Sequence, residues 1–513
     1  MAVQDSATLL WEPRGGHNPA RVYGGNSHLY RAREDAPAVL VDAGAAFAGT
    51  DADGDVLSAC HDLSRHFANR FDRSHRPADP AAGIVLTHWH ADHIGSIAPF
   101  ARLGFEISPI YGSPFTLAML RFDLIRHGVD PVAAGLDLRP LHPGETAALG
   151  GLSFSAISLP HSTPGAFAFD IKGDDRRILH SGDFKLDPTC RMGEPPEMPA
   201  LEALGASGDV DAAIVDSSGA DKAGRARTEA EIEETIGGLI DDHRPWRLVV
   251  SGYTHHLERL ATAMAAAAQR GMGIIVEGRD MKVMVEAARA SGHDWADILG
   301  ADVPIVSAGT EAARGVAAAG PHLVLCPGAQ GEPGGTLARA ANGVHPWLRF
   351  DKGDMVINLS KPWGGNAEWV TPMHEKLRAA GAMVITPDDA PIYGGGHAHQ
   401  DELWAFYDAV RPAIAVPTHS EARELDRHAE LLAAWELPAL RVDNGTVTGF
   451  TEAGPRVVGK RPAAWVQVPA PEDEVDLSDP LGAIQPIPSR ALIIPDAPAP
   501  SGPGPAPATP HID

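Results

Sequence analysis

The chain has 513 residues, of which 44% are hydrophobic and 21% charged, so it is long enough for two or three domains with a large core. It shows no secretory signal and no apolar run near the roughly 20 residues of a transmembrane helix, so we expect a cytoplasmic protein that does not bind membranes. The formal net charge of −25 argues against a broad, non-specific grip on nucleic acid, although a recessed cleft that holds metal ions can be locally positive.

Up to about Gly205 the chain alternates short β-like runs with turns, which predicts a first domain over residues 1–205. The predicted strands are Ala38–Val41, Gly83–Leu86, Phe154–Leu159, Ala166–Ile171 and Ile178–Leu179.

The densest cluster of metal-ligand side chains follows the second of these strands. His88, His90, Asp92 and His93 fall within six residues, before a helical pattern that runs from Ile94 to Ala101. A tight turn between strand and helix lets neighbouring side chains point into one small volume. Imidazole nitrogens with a carboxylate oxygen suit zinc, with manganese as a weaker competitor. One turn cannot complete a metal site, so further ligands must come from elsewhere.

From Asp209 the pattern changes to longer strand–helix–strand units. Arg247–Val250 and Gly273–Val276 flank a helical pattern, which predicts a parallel sheet covered by helices. Short strands return after about Pro372, at Met383–Thr386 and Ala413–Val416. We therefore predict an α/β insert over 206–371 and a first domain that resumes over 372–460.

Three later residues are candidates to complete the metal site. His161 and His419 each follow a predicted strand directly, and Asp183 follows another within a Ser-Gly-Asp turn. Each alone is weak evidence, since a Gly-Asp pair is usually only a turn. Their shared context at strand ends favours a common site.

The region 461–513 is rich in proline, alanine and acidic residues, which predicts a disordered tail. Its short apolar patch Ala491–Ile494 is either a docking segment for a protein partner or without a role. The scattered Cys60, Cys190 and Cys326 predict reduced thiols rather than a disulfide framework.

The segment His88–His93 matches the HxHxDH signature of the metallo-β-lactamase superfamily, and the chain as a whole resembles the ribonuclease J family of β-CASP nucleases. The resemblance runs from about Tyr23 to Gly459. The matching segments are His161–Pro164, Ser181–Asp187, Asp216–Ser218, Glu277–Met281, Gln330–Pro333, Ala341–Gly343, Gly364–Asn366, Gly396–Ala398 and Pro417–Glu421.

This resemblance implies an αββα metallo-β-lactamase fold split by a β-CASP domain, with RNA bound in the cleft between them. It assigns His88, His90 and His161 to one zinc ion, and Asp92, His93 and His419 to a second. Asp183 would bridge the two ions, for which manganese or magnesium are alternatives. Asp42 is expected to be a turn residue or to act behind the ligands.

The same resemblance implies that His397 donates a proton to the departing 3′-oxygen while Asp216 holds its imidazole, and it counts Asp92 among the catalytic residues. Gly395, Gly396, His397 and Ala398 would form the substrate-binding loop, because glycines let backbone amides approach a phosphate.

The glycine-rich loop and the C-terminal region depart from the family pattern. Gly395 stands where a serine is usual and Tyr393 where a histidine is usual, so a hydroxyl contact to phosphate is missing and the 5′-end preference is open. The acidic tail replaces a C-terminal domain that helps many family members to associate, which leaves homodimer and homotetramer open.

The leading hypothesis is a zinc-dependent ribonuclease, a 5′-to-3′ exonuclease with endonuclease capacity that acts in RNA processing or decay. The main alternative is a metallo-β-lactamase-fold hydrolase of a small ester or thioester, against which the insert and the His397/Asp216 pair count. A non-catalytic RNA-binding subunit would be expected to have lost ligands. DNA remains open as an additional substrate, since nothing in the sequence marks a 2′-hydroxyl contact.

Overall fold

The computed structural model describes residues 9–15, 17–18, 23–50, 56–362, 366–461, 465–467 and 485–486. Of the predicted features, Gly364, Gly365 and most of the tail, including Ala491–Ile494, lie outside these residues.

The first domain is a sandwich of two sheets. The first sheet has eight strands, which in spatial order are Leu138–Pro140, Ile110–Gly112, Ala81–Val85, Ala38–Val41, His28–Arg31, Leu9–Pro13, Thr446–Thr451 and Gly454–Lys460. The second has six, which are Thr146–Leu149, Leu152–Ser158, Phe167–Gly173, Arg176–His180, Ala212–Asp216 and Ala415–Thr418. Their facing side chains form one buried cluster, in which Tyr30 and Phe154 meet edge to face at 6.3 Å between ring centroids.

Helices cover both outer faces of this sandwich. Ala91–Ile94, Ile97–Arg102 and Pro114–Arg126 carry buried residues against the first sheet. Met198–Ser207, Gln400–Val410 and Ala422–Ala434 do the same for the second sheet. The αββα arrangement predicted from the family resemblance is therefore confirmed.

The insert is built on a sheet of six strands that all run parallel, as predicted. In spatial order they are Ile305–Ser307, Gly273–Val276, His322–Cys326, Arg247–Ser251, Asp354–Asn358 and Met383–Ile385. One face packs against the helices Glu229–His243, Leu257–Ala268, Arg279–Ala290 and Trp295–Leu299. The other face packs against Glu311–Ala319, Thr336–Ala341 and Ala367–Ala379. None of the described helices combines the length and the apolar composition that crossing a membrane requires.

Two strands near the predicted boundaries lie in the other domain's sheet. Ala212–Asp216 pairs with Ala415–Thr418 in the second sheet of the sandwich, and Met383–Ile385 pairs with Asp354–Asn358 in the parallel sheet. The sequence of a short apolar strand does not show which sheet the strand will join, because strand pairing depends on contacts with segments that are distant in the chain. We therefore propose an insert from Ser217 to about Ile385 in place of 206–371.

A smaller sheet reaches the beginning of the predicted tail. Trp465–Gln467 pairs antiparallel with Val56–His61 and with Gln485–Pro486, and the sheet continues through Ala45–Thr50 to Tyr23–Gly24. Trp465 and Val466 are buried, so these residues belong to the body of the protein. Of the cysteines, Cys60 and Cys326 are buried and Cys190 is half-buried, and all three are unpaired thiols.

A buried ionic network joins the insert to the sandwich. The Glu229 carboxylate accepts hydrogen bonds at 2.8–2.9 Å from Lys185 of the sandwich and from Arg259 and Thr262 of the insert. Burial would raise the pKa of Glu229, but the Arg259 and Lys185 cations outweigh it and hold the pKa well below its usual range. Arg259 also donates to the Gly394 carbonyl, which ties the network to the glycine-rich loop.

Glu229→Gln should lower the free energy of unfolding by about 3 kcal/mol, because it removes the charge that two buried cations share. Urea-induced unfolding would measure the change. Glu234→Gln on the exposed face of the same helix is the matched control and should have little effect. An equal effect of the two variants would contradict a stabilising role for the network.

Candidate active site

The HxHxDH segment begins directly after a central strand of the first sheet. The strand Ala81–Val85 ends just before it, and the helix Ala91–Ile94 starts within it. His88 and His90 therefore lie on the connecting turn, whereas Asp92 and His93 lie on the helix rather than on the turn where the sequence placed them. All four side chains are buried, with at most 2% of each residue exposed.

One group of three imidazoles forms around His90. Its Nδ1 lies 3.0 Å from Nε2 of His88 and 3.3 Å from Nε2 of His161, which follows the strand Leu152–Ser158. These three histidines can offer their ring nitrogens to one metal ion. Burial lowers the pKa of His88 and of His90 well below the usual range and that of His161 to about 4, so all three are neutral at neutral pH, as metal-binding imidazoles must be.

A second group combines Asp92, His93, Asp183 and His419. His93 Nε2 lies 3.3 Å from Oδ2 of Asp92 and 3.2 Å from Oδ2 of Asp183. His419 follows the strand Ala415–Thr418 with a left-handed φ of 54°, and its Nε2 lies 3.1 Å from Oδ2 of Asp183. Such a conformation is uncommon for a residue other than glycine, and strained residues of this kind concentrate at functional sites.

Asp183 lies between the two groups. Its Oδ2 is 3.8–3.9 Å from the nearest nitrogens of His88 and His161 in the first group, compared with 3.1–3.2 Å for His93 and His419 in the second. Both of its carboxylate oxygens are buried, and neither makes a hydrogen bond to any described residue. The nearby His93 and His419 imidazoles are charged partners only when protonated, and a buried carboxylate without hydrogen bonds is costly. Two cations on either side of Asp183 would satisfy it, so the residues fit a two-metal centre.

Further side chains hold the ligands in orientation. Asp42 is not in either ligand group; its Oδ2 lies 2.7 Å from Nδ1 of His93, and its Oδ1 accepts a hydrogen bond from the Thr87 amide. His93 Nδ1–H can therefore donate to Asp42 and leave Nε2 for a metal. Backbone carbonyls serve the other group: Gly396 O lies 2.7 Å from Nδ1 of His161, and His255 O lies 3.2 Å from Nε2 of His90.

His397 and Asp216 form a pair beside both ligand groups. His397 Nδ1 lies 2.6 Å from Oδ2 of Asp216, which ends a strand of the second sheet. The imidazole of His397 stacks on His419 at 5.5 Å and meets His161 at 4.9 Å between ring centroids. Burial would raise the pKa of the Asp216 carboxyl, but His397 outweighs it and lowers the pKa, so Asp216 is ionised at neutral pH.

The glycine-rich loop before His397 is closely packed at two of its three glycines. A Cβ on Gly396 would lie 2.8 Å from the His161 ring, and one on Gly394 would lie 2.9 Å from a backbone oxygen. A Cβ on Gly395 would meet nothing closer than Lys222 Nζ, at 3.7 Å. The loop therefore presents Gly395 beside a cation, with Ala398 buried behind it.

The structure also reveals site residues that the sequence analysis missed. Asn26 is buried among the second group of ligands, and Lys222 lies at the glycine-rich loop. Neither residue type signals such a place, because an asparagine after two glycines is typical of a turn and an isolated lysine is typical of a surface.

Three family models match the chain. The model described as "Ribonuclease J, beta-CASP domain" matches residues 245–377, "Beta-lactamase superfamily domain" matches 38–251, and "Zn-dependent metallo-hydrolase RNA specificity domain" matches 395–437. These matches cover the insert and both parts of the sandwich.

Curated proteins that are similar to this chain are named ribonuclease J. Ribonuclease J of Mycobacterium tuberculosis (strain CDC 1551 / Oshkosh) is 30% identical over 83% of this chain and 72% of the relative. Ribonuclease J of Mycolicibacterium smegmatis is 31% identical over 78% and 67%, and that of Thermus thermophilus is 30% identical over 74% and 65%. A crystal structure of a protein of unknown function from Enterococcus faecalis V583 shares the fold, with a TM-score of 0.57, 14% identity and coverage of 86% of this chain and 99% of that one.

Proposed function

Because the chain belongs to the ribonuclease J family and is a metal-dependent ribonuclease, we propose that it hydrolyses RNA with two zinc ions as a 5′-to-3′ exonuclease that also has endonuclease capacity. The observation that carries the proposal is the meeting of two ligand groups at Asp183, beside the His397/Asp216 pair. The natural role that follows is RNA processing or decay.

The chemistry divides between the bound cations and the protein. Two bound zinc ions would make a water nucleophilic at neutral pH and offset the charge that develops on the phosphoryl oxygens. The protein supplies neutral imidazoles on one side and carboxylates on the other. Asp216 holds the His397 ring through Nδ1, and the other ring nitrogen, Nε2, would protonate the departing 3′-oxygen.

An acidic protein needs local positive charge to hold RNA. Lys222 makes no salt bridge with any described residue, and its ammonium lies beside Gly395, next to His397. Its backbone is fixed by hydrogen bonds to Gly219 and Gln400, so the side chain starts from a defined position. We propose that Lys222 and the amides of the glycine-rich loop together bind an RNA phosphate, in place of the hydroxyl that Gly395 lacks.

Lys222→Ala should raise KM for RNA about tenfold and leave kcat nearly unchanged, because it removes one charge-assisted contact made equally in ground and transition states. The dependence of log KM on log salt concentration should become shallower by about 0.7–1, as expected for one lost phosphate contact. Lys222→Arg keeps the charge and is the control. Unchanged KM and salt dependence in the alanine variant would contradict phosphate binding by Lys222.

The proposed activity can be tested on RNA of one sequence carrying a labelled 5′-monophosphate or 5′-triphosphate, together with a circular form. Release of labelled mononucleotides from the 5′ end supports the exonuclease, and cutting of the circle supports the endonuclease. Metal-stripped protein restored with zinc, manganese or magnesium identifies the ion that supports activity. His90→Ala is the inactive control, and equal RNA cleavage by this variant would overturn the proposal. Faster turnover of a thioester panel than of RNA would favour the small-substrate hydrolase.

A further inference from the structure

Asn26 lies where three candidate ligands of the second group converge. Its amide Nδ2 is 3.0 Å from Oδ2 of Asp92, 3.1 Å from Nε2 of His93 and 2.6 Å from Nδ1 of His419. Only 2% of the residue is exposed. These three side chains all belong to the second ligand group, so Asn26 lies among three of its four members.

The backbone fixes the position of Asn26 in this group. Its N–H donates to the Asp92 carbonyl at 2.7 Å, and its own carbonyl accepts from Gly44 N at 2.8 Å. A Cβ on the preceding Gly24 would lie 2.5 Å from Cβ of Asp92, so the segment packs tightly on the ligand helix. Asn26 therefore cannot move away from Asp92 without a shift of both segments.

The two ends of the amide differ in what they offer. The nitrogen donates to Asp92, whereas Oδ1 is buried and accepts no hydrogen bond from any described residue. A buried carbonyl oxygen without a donor is costly. Rotation of the amide plane exchanges the two ends and turns the oxygen toward the point where the ligands converge, where it would meet a cation as a neutral ligand.

We propose that Asn26 is a neutral ligand of the second metal site, and that its lack of charge limits the affinity of that site. This inference rests on the proposed two-metal function. A carboxylate at this position would add a third acid next to Asp92 and Asp183 and bind the second ion more tightly, at the cost of weaker Lewis acidity. The amide keeps the second ion bound while leaving it more electrophilic.

The test compares Asn26→Ala, Asn26→Asp and the wild type by calorimetric titration of metal-stripped protein with Zn²⁺ and Mn²⁺, with elemental analysis after dialysis. We expect the alanine variant to bind the second ion about 10- to 100-fold more weakly. The aspartate variant should bind it about tenfold more tightly, and the first ion should be unaffected in both. Asn342→Ala in the insert is the control, and circular dichroism checks folding.

The opposite directions expected for alanine and aspartate separate a ligand from a residue that only shapes the site, since a merely structural asparagine would make both variants weaker. Equal weakening in both, or no change in either, would overturn the inference. A wild-type protein that binds only one ion would overturn both this inference and the two-metal centre. Failure to cleave RNA with two ions bound would count against the proposed function alone.

Discussion

Asp183→Asn should remove RNA cleavage almost completely, with kcat/KM lowered by about 10⁴-fold, equivalent to roughly 5 kcal/mol of lost transition-state stabilisation. The variant keeps the shape of the side chain and loses only its charge and the equivalence of its two oxygens. Its Oδ2 lies within 3.9 Å of imidazoles from both ligand groups. No other described carboxylate spans the two groups, so nothing can replace it.

The metal content of the same variant should fall from two ions to one or none, as measured by elemental analysis after dialysis. The control is Asp175→Asn, which changes an exposed aspartate on the turn before the strand Arg176–His180. This variant should keep both ions and full activity. Burial would raise the pKa of the Asp183 carboxyl, but the His419 and His93 imidazoles outweigh it and hold the pKa well below its usual range. Asp183→Asn activity within tenfold of the wild type would show that the two groups do not share this ligand.

Much of this site could be anticipated from the sequence because ligands at strand ends have a recognisable local context. His88, His90, Asp92 and His93 are close in the chain, and the strand before them is strongly apolar. His161, Asp183 and His419 also follow strands, but nothing in their local pattern states that they meet. That step came from the family resemblance, and the structure places all seven within two adjoining groups.

What could not be anticipated depends on contacts between distant segments. Asn26 reaches the second group because the backbone segments at Gly24 and at Gly44 pack closely on Asp92. No periodicity in the sequence indicates this close approach. The predicted insert of 206–371 includes the strand Ala212–Asp216, which instead pairs within the second sheet of the sandwich. Its partner, Ala415–Thr418, lies about two hundred residues further along the chain.

The contact between Asp216 and His397 also joins distant segments, since Asp216 ends the strand Ala212–Asp216 and His397 lies in the glycine-rich loop before the helix Gln400–Val410. Asp216 ends the strand that pairs with Ala415–Thr418, and His419 follows that partner strand directly. One pairing therefore places a carboxylate, a candidate metal ligand and, through the glycine-rich loop, the proposed general acid within reach of one another. The fold makes the candidate metal centre and the proposed proton donor parts of a single assembly.

His397→Ala should lower kcat for RNA by about 10²- to 10⁴-fold while both metal ions stay bound, because it removes the proton donor and none of the assigned ligands. Elemental analysis of the variant must show that both ions stay bound, because one ring nitrogen of His397 also lies within 4.8 Å of candidate ligand atoms of His161 and Asp183. A variant that loses an ion would show that His397 is a ligand instead. Asp216→Asn should give a smaller loss, because the imidazole remains but its orientation is no longer held by a charged acceptor.

The leaving group provides the decisive comparison for His397. A substrate whose 3′-oxygen is replaced by sulfur at the scissile bond has a leaving group that departs without a proton, so an acid contributes little to its cleavage. We expect His397→Ala to cleave this substrate within about tenfold of the wild-type rate, far less than its loss on ordinary RNA. Asp183→Asn should remain inactive on both substrates, since its defect lies in the nucleophile and in charge stabilisation. If His397→Ala showed the same fold loss of activity on the two substrates, the role of His397 would be to position the phosphate or a metal ion. Asp216 would then support that positioning rather than a proton transfer.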